Sequence, residues 1–275
     1  MAIGDIIVGI DIGTSKVSTV VGEVNNFKQI EIICNTCCRC NGMAKGQIID
    51  GDAISIAISK TIREAEEIAN FKISSAYITI PGKYTTIVQN SVVKETKDRF
   101  DGISYKDVVS ALSSVKEIEM PEDEVLIDII PDKFILEDGK TVEDPVGSYC
   151  SSFTLMAQLI LADKDYIKKI TNICRRAGIE IDGIVPITLA ERNLVLDGSE
   201  MNDNVMILDI GAGNTEIGIF KGNSFIFNDT LPLGGDNITS DIAYVLNISK
   251  EEADKLKRQY GLALKSFIDN DNNII

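Results

Sequence analysis

Two stretches of the chain, residues 8–17 (VGIDIGTSKV) and residues 207–220 (ILDIGAGNTEIGIF), share one pattern of apolar and polar positions. In each, an apolar run ends in aspartate, a glycine-containing turn follows, and a second apolar run comes after it. Apolar runs at strand spacing on both sides of a turn predict a β-hairpin. The copies start about two hundred residues apart, which is too far for a solenoid repeat and indicates two similar halves of one molecule.

The pattern around the first hairpin predicts three strands, one helix and a further strand. Apolar residues recur at helical spacing from Ile54 to Ala69, and Asp50 or Asp52 precedes them as a candidate N-terminal cap. Pro81 and Gly82 end the last of these strands. The predicted strands are Ile6–Ile12, Val17–Val24, Gln29–Ile33 and Ser75–Ile80.

From Lys83 onward the pattern changes, and residues 83–160 predict a small inserted α+β subdomain. Several strand-like runs flank a short helix, which Ser104 caps together with Asp107 three residues later.

The remaining sequence predicts further helices around the second hairpin. One begins at Asp163, and a second runs from Ile184 to Leu196. A third runs from Ser249, which forms a capping box with Glu252, to Gly261. We expect three parts: a first subdomain of residues 1–82 plus 161–200, the insertion at 83–160, and the start of a second half at 201–275.

Charge and composition exclude several functional classes. The chain has 42 acidic and 27 basic residues, a net charge of −15, which disfavours nucleic acid as a partner. It has no histidine, which excludes Ser-His-Asp triads and histidine-ligated metals. No apolar run reaches the ~18 residues of a membrane span and no signal peptide opens the chain, so we expect a cytoplasmic protein. Because the whole chain is negatively charged, an anionic ligand must be bound by nearby backbone N–H groups and a few placed cations.

Four cysteines lie close together in ICNTCCRC. Such a cluster is either a zinc or iron–sulfur site or a strand end with free thiols in a reducing compartment. Side chains alternate along a strand, so Cys37 would point away from the other three. No second CxxC pair completes a metal site, which favours free thiols. The four are Cys34, Cys37, Cys38 and Cys40.

The two hairpins carry the residue types that a metal–phosphate ligand requires. Their glycines allow tight turns with outward-facing N–H groups, and Lys16 adds a cation that can reach a phosphate. Asp11 and Asp209 cannot bind phosphate directly because like charges repel, so they predict Mg²⁺ held between them through water. One such motif is usually only a turn, whereas two copies favour a clamp on a metal–nucleotide. The candidate phosphate ligands are Gly13, Thr14, Ser15, Lys16, Gly211, Gly213, Asn214 and Thr215.

Several motifs together resemble those of one family. Beside the two hairpins they are GMAKGQIID at 42–50, SSAYITIPGKY at 74–84, DPVG at 144–147 and LPLGGDNITSDIAYVLNISKEEADKLKRQYG at 231–261. The set resembles the actin and sugar-kinase superfamily and, within it, the FtsA family of bacterial cell-division proteins. The resemblance implies an α/β fold of duplicated actin-like (ribonuclease H-like) domains with a small α+β insertion.

The same resemblance implies a function. Such a protein binds ATP with Mg²⁺, associates with itself into filaments, and links FtsZ, the tubulin homologue of the division ring, to the membrane. It would then lie at the cytoplasmic face of the cell membrane, at the division septum.

The resemblance also extends the candidate site. In the superfamily adenosine is contacted by acid-x-x-Lys-Arg, which Asp254, Lys257 and Arg258 match, although an exposed charged helix face gives the same spacing. The glycine pair before the preceding helix, Gly234 and Gly235, is counted with the nucleotide ligands. In actin and MreB a Gln or Glu opens the connecting helix, where Val185 stands here, so we expect no polar group at that position and slow or absent hydrolysis.

The family continues for well over a hundred residues beyond a point equivalent to the polar end SFIDNDNNII. We therefore expect a fragment or truncated form whose second half is incomplete and which lacks the terminal amphipathic helix that lies on the membrane. Two alternatives stay open: a PilM-like pilus-assembly protein, which shares the insertion, and a small-molecule phosphotransferase, which needs a carboxylate base in the cleft.

Overall fold

The computed structural model describes residues 2–96 and 102–264. The first part of the chain forms β1 (Ile6–Ile12), β2 (Lys16–Val24), β3 (Ile30–Arg39), β4 (Met43–Ala44), β5 (Gln47–Ile48), α1 (Gly51–Ala69) and β6 (Ser75–Ile80). Next come β7 (Thr85–Glu95), α2 (Tyr105–Val115), β8 (Glu124–Leu136), β9 (Thr141–Val142) and β10 (Ser152–Asp163). The last part forms α3 (Lys164–Arg176), β11 (Glu180–Pro186), α4 (Ile187–Val195), β12 (Asn204–Ile210), β13 (Thr215–Lys221), β14 (Ser224–Leu231), α5 (Gly235–Leu246) and α6 (Lys250–Tyr260).

A five-stranded sheet in the order β11-β6-β1-β2-β3 forms the first layer. Strand β1 pairs antiparallel with β2 and parallel with β6, so the end of β1 lies in the middle of the sheet. Helix α1 buries Ile54, Ile58 and Ala65 in the core that this sheet shares with α3. The Asp50 carboxylate caps α1 by accepting from the N–H groups of Asp52 and Ala53, both at 3.0 Å, which decides between the two predicted caps.

A four-stranded sheet in the order β7-β10-β8-β9 forms the second layer, with α2 against its core. The predicted capping box of Ser104 and Asp107 is present at the start of α2. Gln158 on β10 joins this sheet to the third one: its side chain accepts from the Phe225 N–H and donates to the Phe225 carbonyl, both at 2.7 Å. The insertion and the second half are therefore held in register by a buried amide.

A three-stranded sheet in the order β12-β13-β14 contains the second hairpin. The two hairpins have the same register, since Ile12 pairs with Val17 and Ile210 pairs with Thr215. They also have the same turn, because the N–H of the first turn glycine bonds the carbonyl three residues later at 2.9 Å in both. The likeness seen in the sequence thus extends to the backbone.

Two local predictions were wrong, and one strand was missed. The helix expected from Ile184 begins only at Ile187, since residues 184–186 pair with β6 as the end of β11. Strand β3 continues to Arg39 because β2 supplies a partner along its whole length. Strand β14 was missed, although it pairs with β13 over its whole length. In each case a tertiary partner outweighed the local pattern.

Within the cysteine cluster, Cys34 and Cys40 are buried whereas Cys37 is exposed on the other face of β3. No group of three or more Cys, Asp, Glu or His side chains among residues 2–96 and 102–264 is arranged to hold a metal ion. In the part of the chain that the structure describes, no helix is long and apolar enough to span a bilayer. The polar stretch at 266–275 lies outside the described residues.

Candidate functional site

The turns of the two hairpins touch each other. The Thr14 hydroxyl donates to Asn214 Oδ1 at 3.1 Å, which joins the first turn to the second. A Cβ at Gly213 would lie 2.7 Å from Thr14 Cγ2, so a larger residue would displace the Thr14 side chain from this contact. The backbone angles of Gly13, Gly211 and Gly213 all lie outside the left-handed region. Their role is close approach.

The two predicted metal aspartates share one cavity. This space of about 290 Å³, named here the hairpin cavity, is lined by Asp11, Asp209 and Lys16 together with the turn residues Gly13, Thr14, Gly211 and Asn214. Asp11 Oδ1 accepts a hydrogen bond of 2.7 Å from the Thr79 hydroxyl on β6, which fixes the orientation of that carboxylate. Thr79 was not predicted from the sequence.

The electrostatics of the hairpin cavity favour a cation. Burial, and after it the nearby charge of Asp11, raises the pKa of Asp209. A divalent cation between the two carboxylates would relieve both effects. With two protein carboxylates as donors, Mg²⁺ would keep several of its waters, which suits the way this ion binds. The donor set therefore fits the predicted metal.

A third acid, Glu191, also enters the hairpin cavity and was missed. It lies on α4, and its Oε2 atom is buried without a hydrogen-bond partner among the described residues. Burial, followed by the charges of Asp209, Asp11 and Glu216, raises its pKa to about 7. The connecting helix therefore brings an acid to the site six residues beyond Val185, while the position of Val185 itself has none. The sequence feature that could have indicated Glu191 is its position less than two helical turns after Pro186, on a helix that begins beside the hairpin cavity.

A fourth acid, Glu216, has a different role. Its buried carboxylate accepts from the Gly82 N–H at 2.8 Å, from the Thr230 hydroxyl at 2.7 Å and from the Asn214 amide. Burial raises the pKa of Glu216, and these three donors partly offset that rise. Because Asn214 is held between Glu216 and Thr14, Glu216 fixes the orientation of one predicted phosphate ligand.

The polar groups of three predicted ligands are hydrogen-bonded to other protein groups instead of facing the hairpin cavity. The Thr215 hydroxyl donates to the Leu233 carbonyl at 2.8 Å. The Gly234 N–H donates to Asn237 Oδ1 at 2.9 Å, and the Gly235 N–H donates to the Gly211 carbonyl at 3.0 Å. Gly235 thus attaches α5 to the second turn, whereas the Gly234 bond belongs to the N-terminal cap of α5, and neither glycine lines the hairpin cavity.

A second space of about 470 Å³, named here the helix cavity, lies between the end of β3 and helices α5 and α6. Ala212 lines both cavities, so the two adjoin at the second turn. Ser15 lines the helix cavity instead of the hairpin cavity. Asp254 and Arg258 also line it, paired with each other at 2.7 Å.

The predicted adenosine residues form one ion-pair group. Asp254 accepts a hydrogen bond from Arg258 and forms an ion pair of 3.1 Å with Lys257. Both contacts lower the pKa of Asp254, and the contact with Arg258 has the larger effect. Lys257 also donates to the Gly235 carbonyl at 3.0 Å and to the Thr239 hydroxyl at 2.6 Å. Lys257 therefore joins α6 to α5, and only Asp254 and Arg258 face the cavity.

Two family models and several curated proteins match this chain. The model of the cell division protein FtsA matches residues 206–275, and the model described as the SHS2 domain inserted in FtsA matches residues 82–161. The cell division protein FtsA of Bacillus subtilis (strain 168) is 30% identical over 259 residues, covering 94% of this chain and 59% of that protein. The FtsA of Escherichia coli (strain K12) is 28% identical over 269 residues, covering 98% of this chain and 64% of that protein. The chain thus spans less than two thirds of the length of these curated relatives.

Solved structures agree on the fold. The PilM–PilN type IV pilus biogenesis complex matches with a TM-score of 0.63 at 17% identity, covering 93% of this chain and 70% of that chain. The ethanolamine utilization protein EutJ from Carboxydothermus hydrogenoformans matches with a TM-score of 0.53 at 15% identity, covering 93% and 62%. At such identities the likeness concerns the fold alone. The actin-like α/β fold class predicted from the sequence is confirmed.

Proposed function

Since this chain is an FtsA-like protein with an actin-like fold, we propose that it binds ATP with Mg²⁺ in the two adjoining cavities and acts in bacterial cell division. One observation carries the proposal: two hairpins of the same register face each other and bring Asp11 and Asp209 into one cavity. Two carboxylates repel the phosphates that the neighbouring hydrogen-bond donors would bind. The arrangement therefore favours a phosphate ligand only when a cation lies between the carboxylates and the phosphates.

Each wall of the hairpin cavity has a part in this proposal. Asp11 and Asp209 hold Mg²⁺ through water, and Lys16 binds the phosphates that the metal does not neutralise. The Thr14 hydroxyl donates to Asn214 Oδ1, so it can exchange that bond for one to a phosphate oxygen when the ligand enters. Asn214 can donate to a phosphate only through the second hydrogen of its Nδ2 group, which already bonds Glu216.

The adenosine part of the ligand would occupy the helix cavity. That space adjoins the hairpin cavity at Ala212, and it is bounded by the Asp254–Arg258 pair expected from the family resemblance. The ribose hydroxyls can bond the Asp254 carboxylate, while the Arg258 guanidinium offers a flat surface for the base.

Calorimetry with Mg-ATP tests the site. The wild-type chain should bind, and Asp209→Ala and Lys16→Ala should each weaken binding by about tenfold or more, the loss of one charge-assisted contact. Glu95→Gln, which removes an exposed acid at the end of β7, is the control and should bind as the wild type does. Unchanged affinity in both site variants would refute the assignment of these residues.

In the cell we propose that the protein associates with itself and connects the FtsZ ring to the cytoplasmic face of the membrane at the septum. The sequence likeness to FtsA proteins supports this role. Sedimentation with FtsZ filaments of Bacillus subtilis tests the link: with Mg-ATP, more of the chain should pellet with polymerised FtsZ than in its absence. A chain that stays in the supernatant in every condition would count against the link to FtsZ.

A PilM-like role is the second candidate, because the PilM–PilN complex shares the fold over 93% of this chain. The higher sequence identity to FtsA proteins favours cell division. Immobilised FtsZ and an immobilised cytoplasmic peptide of PilN separate the two: retention on the PilN peptide alone would favour pilus assembly.

A further inference from the structure

Lys16 and Arg39 lie directly opposite each other on neighbouring strands. The antiparallel register of β2 and β3 pairs these two residues, so both side chains stand on the same face of the sheet. Like charges in that position destabilise a sheet. Neither side chain has an ion-pair partner among the described residues, although the chain has 42 acids against 27 bases.

The two cations line different cavities that adjoin each other. Lys16 lines the hairpin cavity and Arg39 lines the helix cavity. The Cys40 N–H donates to the Ser15 carbonyl at 3.1 Å, which fixes the end of β3 beside the first turn. The backbone at Arg39 is therefore fixed beside the first turn, although the Arg39 side chain is exposed.

Three acids line the helix cavity with Arg39, namely Asp236, Glu251 and Asp254, and none of them forms an ion pair with it in the described structure. Asp254 is already paired with Lys257 and Arg258. An anion that lies between the Lys16–Arg39 pair and the second turn would remove the repulsion between the two cations. A polyphosphate passing from one cavity to the other supplies such an anion.

We propose that Arg39 is a second cation of the phosphate site and binds the phosphate at the point where the nucleotide passes between the cavities. The planar guanidinium makes paired hydrogen bonds to phosphate oxygens that an ammonium cannot make. The nucleotide then joins the two halves, with Lys16 and Arg39 on one side and α6 on the other. This inference rests on the proposed binding of ATP.

Calorimetry with three ligands tests it on the 275-residue chain. Arg39→Gln should weaken Mg-ATP and Mg-ADP by about tenfold, the loss of one charge-assisted contact, and leave the affinity for adenosine unchanged. Arg39→Lys should recover part of the loss. The matched control is Arg175→Gln, which removes an exposed arginine without an ion-pair partner among the described residues and should leave all three affinities unchanged.

Three outcomes would overturn the inference. If Arg39→Gln binds Mg-ATP as the wild type does while Lys16→Gln binds it weakly, Arg39 is not a ligand and the proposed function stands. Arg39 is equally excluded as a ligand if Arg39→Gln lowers only the melting temperature of the nucleotide-free protein, because Arg39 then pairs with an acid of α5 or α6. If the wild type binds no Mg-ATP, the proposed function fails as well.

Discussion

At the scale of single residues, the hairpin cavity concentrates negative charge. Asp11, Asp209 and Glu191 line a space of about 290 Å³, and Lys16 is the cation that lines it with them. Burial and mutual repulsion raise the pKa of Asp209 and of Glu191, which means that the cavity by itself disfavours the charged forms of both acids. A bound divalent cation reverses that preference, so metal binding and proton release are linked.

Glu191 makes the stability of the ligand-free protein depend on pH. Its pKa rises from 4.5 to about 7 on folding, so the native state binds more protons than the unfolded state between these values. Stability is therefore lost as the pH rises through this window and stays lower above it. Glu191→Gln should stabilise the protein at pH 8 by about 1–2 kcal/mol, after a discount for the solvent exposure of the side chain.

Thermal melting at pH 5 and pH 8 checks this effect. The gain of Glu191→Gln over the wild type should be several times larger at pH 8 than at pH 5. Glu95→Gln, an exposed acid far from the cavity, should give no such difference. An equal gain at both pH values would show that Glu191 ionises freely in the folded protein.

The residues of the site differ in how far a sequence can predict them. Asp11 and Asp209 were predicted because each ends a strand within a repeated motif. Glu191 and Arg39 have no such motif, since a helix and an edge strand that are distant in sequence bring them to the cavities. Thr215 and Gly235 match the motif, but their polar groups bond other elements, which a local pattern does not reveal, and the Gly234 N–H is used in the cap of α5.

At the scale of elements, strands and caps were predicted well where local chemistry decides them. The capping boxes of α2 and α6 are present as predicted, and β6 has the predicted bounds. The start of α4 was misplaced, because β6 draws residues 184–186 into the sheet. Strand pairing is a property of two segments, so one segment alone does not reveal it.

Helix α5 depends on a close approach that only glycine permits. A Cβ at Gly234 would lie 2.5 Å from the Ala212 carbonyl oxygen, so Gly234→Ala forces α5 away from the second turn. We expect a loss of stability of about 1–3 kcal/mol, as for other overpacked sites, and weaker Mg-ATP binding. Urea unfolding measures the first effect and calorimetry the second.

The control for this variant is Gly198→Ala. A Cβ at Gly198 would meet no atom within 4 Å, so its substitution should leave stability and binding nearly unchanged. If the two alanine variants behave alike, the contact between α5 and the second turn has no energetic importance.

At the scale of the whole molecule, the second half is tied to the rest of the protein by a few buried polar groups. Glu216 accepts from the Gly82 N–H between β6 and β7, and Gln158 bonds Phe225 twice. The repeated hairpin predicted two similar halves, and the actin-like fold is confirmed. The contacts between the halves were not predictable, because each joins residues that carry no signal until both elements are folded.

The central claim is that Asp11 and Asp209, one from each half, hold a single metal–nucleotide. A double-mutant cycle measures it directly, with calorimetric Mg-ATP affinities for the wild type, Asp11→Asn, Asp209→Asn and the double variant. Residues that share one ligand are strongly coupled. We predict that each single variant loses about tenfold or more in affinity and that the double variant is hardly weaker than the worse single one. Losses that simply multiply, or single variants that bind as the wild type does, would contradict the account.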